Sequence, residues 1–187
     1  MKKLLIFIIS FVTICTLTCC HQKKHEPVQL GGINADTTMI IDYNNLKSDY
    51  PDIVFYESQI TLNQYVDSID SLLVINVVNI FQNEDTVFTS TYSLIDDTVI
   101  NHSLSKEKGY WLEDCSIEAI HEISLSNAIN ILYQTDCIKP HSVNVTFRQP
   151  LGPKILECPY FIFGNRGSDL TFINSKNGEV TSYLFVD

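Results

Sequence analysis

A chain of 187 residues with 22 acidic against 12 basic side chains has a formal net charge of −10. A surface of that sign is repelled by phosphate backbones, so nucleic acid is not an expected partner. Hydrophobic residues make up 45% of the chain, enough for the core of one ordinary domain or of two small units that share one.

The first element is a targeting segment. Lys2 and Lys3 form a positive start and Leu4 to Ile14 an apolar run of secretory-signal length, short of the roughly 20 residues that a membrane span needs. It ends in Leu17-Thr18-Cys19-Cys20, which resembles the lipobox of bacterial lipoproteins. In that reading residues 1–19 are a lipoprotein signal peptide and Cys20 takes the lipid, with Cys19 the runner-up acceptor. The expected place is the cell envelope, lipid-anchored in the inner or outer membrane. Lys23 and Lys24 replace any acidic run after the acceptor, which favours the periplasmic face.

Residues 20–50 read as a lipidated tether and linker, polar and broken by Pro27 and Gly31-Gly32. Residues 51–115 read as an N-terminal β-rich α+β unit. Within it Leu62, Tyr65, Val66 and Ile69 hold helical spacing, and strands are expected over 77–82 and 86–94. Residues 116–187 form the second unit. Ser124 is a good N-cap, and Leu125, Ala128, Ile129 and Leu132 follow on one helical face, ending near Asp136. Val143, Val145 and Phe147 then alternate with polar residues as a half-buried strand. Ile155 to Phe163 returns as a second strand. A last hairpin joins Leu170–Ile173 to Val180–Phe185, with Gly178 expected in the left-handed position of a bulge that sets Ile173 opposite Val180. Residues 61–69 match 124–132 in type, which suggests that the first half repeats the plan of the second.

The order helix, hairpin, then Asn174-Ser175-Lys176-Asn177-Gly178-Glu179-Val180 resembles PepSY-like domains, whose closing signature places Asn174, Asn177, Gly178, Glu179 and Val180 as they stand here. The resemblance spans about residues 122–187. It implies an α+β fold, a helix packed on an antiparallel four-stranded sheet, with two such units in tandem. Members of that family include propeptide segments that inhibit or chaperone peptidases, and many envelope lipoproteins. The implied function is a non-catalytic binding or inhibitory module for a protein or peptide partner. The alternatives are a structural or assembly component of an envelope complex and, behind it, a hydrolytic enzyme.

Candidate chemistry is sparse. Phe161 and Phe163 alternate away from Tyr160 and Ile162, so one aromatic pair needs shelter other than the helix, and Phe161 with Phe163 is the candidate interaction surface. Cys115, Cys137 and Cys158 leave at most one disulfide, whose pairing stays open. Cys115-x5-His121 and Cys137-x3-His141 lack the tight spacing of a structural zinc site, so neither metal nor cofactor is expected. Asp96-Asp97 reads as a turn, and Gly164 to Asp169 as a connecting loop.

Overall fold

The computed structural model describes residues 28–66, 71–96, 98–111, 114–119, 121–135, 139–150, 158–165 and 169–183. In chain order these form β1 (Gly31–Gly32), α1 (Ala35–Asp49), β2 (Val54–Leu62), β3 (Leu73–Asn83), β4 (Thr86–Ile95) and β5 (Val99–Lys108). There follow β6 (Asp114–Cys115), α2 (Leu125–Gln134), β7 (Asn144–Pro150), β8 (Tyr160–Phe163), β9 (Leu170–Asn174) and β10 (Val180–Tyr183).

One ten-stranded sheet holds them, in the order β10-β9-β8-β7-β2-β3-β4-β5, with β1 on β3 and β6 on β7. All pairings are antiparallel except the short β1–β3 contact. This corrects the expected α+β fold of two helix-on-four-strand units. The fold is β-rich, with two helices among the described residues and one continuous sheet. The reason lies at the centre, where Glu57–Thr61 of β2 pairs with Asn144–Arg148 of β7. That ladder satisfies the backbone edges which two separate sheets would have left open.

The sheet has one dry face and one wet face, as antiparallel sheets commonly do. Phe55, Val77, Phe81, Phe88, Val145, Phe147, Phe161, Phe163 and Ile173 turn inward, into one core with the buried residues of α1 and α2. The opposite face carries Thr89, Thr91, Ser93, Asn76 and Thr146, and is itself covered locally where Ile80, Ile162 and Glu57 are buried. Helix α2 forms as its spacing predicts. Ser124 caps it by accepting from the Asn127 N–H at 3.2 Å, and Leu125, Ala128, Ile129 and Leu132 are buried. Leu132 is fully enclosed, so Leu132→Ala should cost about 2–5 kcal/mol in urea unfolding, whereas the exposed Gln134→Ala should cost little.

The expected linker is instead part of the fold. Val28 donates its N–H to Asn130 Oδ1 at 2.6 Å, and its carbonyl accepts from Ser126 Oγ at 3.0 Å, so the segment first crosses α2. It then pairs with β3 through Gly31 N–H to the Leu72 carbonyl and Ile33 N–H to the Val74 carbonyl, both 3.0 Å. Gly32 is required there: its φ is +77°, and a Cβ would collide with the Val74 carbonyl. Helix α1 follows, capped by Asn34, which accepts from the Thr37 N–H at 3.0 Å.

The helix expected over 61–69 is a second correction. Thr61 and Leu62 end β2, and Asn63 to Val66 are an irregular turn; residues 67–70 lie outside the described residues. Leu62 is held in extended pairing by Val74, which overrides its helical spacing. The last hairpin forms with Ile173 opposite Val180 and Gly178 at φ +73°, as the bulge reading requires. Asn174 Oδ1 closes the turn, accepting from Lys176 N–H at 2.9 Å and Asn177 N–H at 3.3 Å.

Candidate functional site: two polar clusters and an open sheet edge

The first cluster lies between α1 and the dry face of the sheet. Asp42 is buried on α1, where it accepts from Asn79 Nδ2 at 2.8 Å and from the Tyr92 hydroxyl at 2.6 Å. Burial and the Asp42 carboxylate together push the Tyr92 hydroxyl pKa well above its ordinary value, so Tyr92 is a fixed donor. Ser58 Oγ donates to Asn79 Oδ1 at 2.8 Å. His102 on β5 stacks on the Tyr92 ring at 4.3 Å. Its Nε2 lies 2.9 Å from Ser90 Oγ and 4.0 Å from Asp42 Oδ1.

Serine, histidine and aspartate thus converge, and the geometry decides what they can do. In a nucleophilic triad serine meets one imidazole nitrogen and the carboxylate orients the other. Here Ser90 and Asp42 both approach Nε2, and Ser90 is wholly buried. A substrate carbonyl has no approach to its Oγ. The cluster ties α1 to β2, β3, β4 and β5, satisfying polar groups inside the core.

The second cluster is on the opposite face, where β2, β6 and β7 meet. A bulge between Phe55 and Glu57 inserts Tyr56 into β2 and turns Glu57 away from the core, opposite Ile80 and Arg148. Glu57 and Asp114 are both buried. Arg148 Nη1 and Trp111 Nε1 donate to the two oxygens of Asp114, each at 3.2 Å. Burial, the hydrogen bond to Asp114 and the charge of Asp114 push the Glu57 pKa up to about 8. Glu57 therefore keeps its proton at neutral pH and donates it to Asp114. The pair is a sealed strut rather than an acid–base pair facing a cleft.

His121 makes a third junction. Its Nε2 is 2.6 Å from Asp36 Oδ1, and Asp36 also accepts from the Leu125 N–H at 3.2 Å. One carboxylate at the start of α1 thereby holds the start of α2. The His121 ring packs on Phe147 and Phe161, with centroids 5.0 Å and 5.6 Å away.

The candidate residues read from sequence fare differently. Phe161 and Phe163 are enclosed, so the candidate interaction surface is corrected. Their register opposite Phe147 and Val145 puts them under the helices, and Tyr160 and Ile162 face the other way. Cys20 and Cys137 lie outside the described residues. Cys115 and Cys158 are free thiols, half-buried and buried respectively. Among the described residues no three His, Cys, Asp or Glu side chains cluster with metal-binding geometry, and no helix is long and apolar enough to cross a membrane.

Sequence reasoning reads Asp96-Asp97 as a turn between strands but gives the strand after it, β5, neither bounds nor a role. It is an edge strand, exposed along all ten residues, with Val99, Ile100 and Leu104 among the exposed apolar side chains. Its alternation is faint because neither of its faces is covered. The run of β-branched residues that follows the Asp96-Asp97 turn was the available signal. Comparison with protein-family models, curated proteins and solved structures finds no match.

Proposed function

We propose that this protein is a non-catalytic, lipid-anchored module of the cell envelope that binds a protein or peptide partner by adding a strand along β5. The observation that carries the reading is the open ten-residue edge. Such an edge offers backbone hydrogen bonds for affinity and alternate side chains for selection. The buried Ser90 and the sealed Glu57–Asp114 pair favour binding over catalysis. The lipobox-like Leu17-Thr18-Cys19-Cys20 supports the anchor, and the closing hairpin of Asn174 to Val180 supports a relationship to PepSY-like domains.

The test separates anchor from edge. Cys20→Ser should abolish fatty-acid labelling and release the protein from membranes; retained labelling overturns Cys20 as acceptor. Leu104→Pro should abolish partner capture from envelope extracts while membrane attachment persists. Undiminished capture by that variant overturns β5 as the docking edge.

A further inference from the structure

We infer that the strand added along β5 is β5 of a second copy of this chain, antiparallel and centred on His102, so that one sheet runs through both copies. This rests on the reading of β5 as the docking edge and names its occupant.

Exposed edges are usually blunted by charge, proline, bulges or short length. Over Val99–Ser105 this edge has no proline and no formally charged side chain apart from a titratable His102. It pairs with β4 over its whole length without a bulge. The backbone is also poised. Gly109 N–H donates to the Asp85 carbonyl at 2.8 Å, at the end of the β4–β5 ladder. In that register odd-numbered residues of β5 bond to β4, and Ile100, His102, Leu104 and Lys106 direct their N–H and C=O groups outward.

The side chains choose the register. A two-fold axis normal to the sheet keeps both pairs of helices on one side, and it requires even residues to face even residues. Centring on His102 sets Ile100 of each copy opposite Leu104 of the other. Both side chains are nearly half exposed in the single chain, at 49% and 45%. Centring on Leu104 would set Ile100 against Lys108 and His102 against Lys106, and centring on Ser103 would set Ile100 against Lys106. The first register matches all four of these apolar side chains in two Ile100–Leu104 pairs, whereas centring on Leu104 matches only Leu104 with itself and leaves Ile100 against a lysine. The first register also brings Asp96 of one copy toward Lys108 of the other, twice by symmetry. That lysine is largely exposed and in the single chain reaches Asp85 at 3.7 Å. Charge complementarity at both ends gives two chains of net charge −10 a place to meet.

The test is a paired-cysteine experiment on the full chain in its membrane. Ile100→Cys/Leu104→Cys should give a disulfide-linked dimer on mild oxidation, well above that of the parent with its native cysteines. Neither single substitution should do so. Residue 100 faces residue 104 of the second copy at about 5.5 Å between Cα atoms. Like residues lie four positions apart, roughly 13 Å along the strands, beyond the ~7 Å that a disulfide spans. Leu104→Pro removes an outward N–H that β4 does not use. It should convert a sedimenting dimer to a monomer with an unchanged circular dichroism spectrum. A monomeric parent, or equal cross-linking by the single variants, overturns the proposal. A monomeric parent that still loses capture of another envelope protein through Leu104→Pro overturns the second copy as occupant and leaves β5 as a docking edge. Failure of both self-association and capture removes both readings.

Discussion

Phe147→Ala is expected to lower the free energy of unfolding by about 3–5 kcal/mol, the range for removing a fully buried aromatic ring. Phe147 has no exposed surface and stands at the β2–β7 junction. Its ring packs against Phe161 at 4.9 Å and Phe55 at 6.3 Å, one from each side of the junction. The loss is a large part of the 5–15 kcal/mol that stabilises a typical domain. Thr146→Ala, the adjacent residue on the wet face, should change stability by about 0.5 kcal/mol or less. Urea unfolding of the two variants beside the parent checks this. Equal losses would mean that the two faces of the sheet are not distinguished by burial. The cavity should also loosen the packing beneath His121, whose ring lies on Phe147.

The second large effect is an inverted pH dependence at Glu57. Its pKa is about 8 in the folded chain against a reference of 4.5. The folded state therefore holds a proton that the unfolded state has already released. The stabilising contribution is fully present below pH 4.5, falls as pH rises through the interval, and is gone above about pH 8. Within the interval the slope approaches ~1.4 kcal/mol per pH unit from this group alone. Glu57→Gln keeps a donor toward Asp114 and needs no proton, so it should stabilise the protein at pH 8 and do little at pH 4.5. Unfolding free energies of parent and variant between pH 5 and 8 should diverge steadily; parallel curves would show that Glu57 is ionised in the fold. Asp114→Asn should reduce the slope of the same profile without abolishing it, because burial still raises the Glu57 pKa when the Asp114 charge is gone, and Arg148 then loses its ionic partner.

Local pattern was legible wherever one face of an element was apolar and the other polar. Helix α2 has Leu125, Ala128, Ile129 and Leu132 on one side and no polar residue among them. The final hairpin declared its register through Asn174 and Gly178, whose turn chemistry admits few geometries. Helix α1 was hidden for the opposite reason. Its buried face is Ala35, Thr38, Met39, Asp42 and Leu46, a helical spacing in which two positions are polar. Those two are satisfied by Asn79 and Tyr92, far along the chain. No window of sequence around α1 contains the partners that make burial of Asp42 tolerable.

The sequence by itself determined the amphipathic second helix and the closing turn, because each depends on residues within a few positions of one another. Only the tertiary structure decided that β2 and β7 join two hairpin systems into one sheet, since backbone hydrogen bonds between strands carry no side-chain signature. Only it placed Phe161 and Phe163 beneath the helices, because alternation says that two faces differ but not which is covered. The bulge at Tyr56 made the same kind of choice, moving Glu57 out of phase with Phe55 and into the proton-holding contact with Asp114. Edge and centre were likewise undecided along the chain: β5 is open and β2 enclosed because of strand order, a property of long-range pairing.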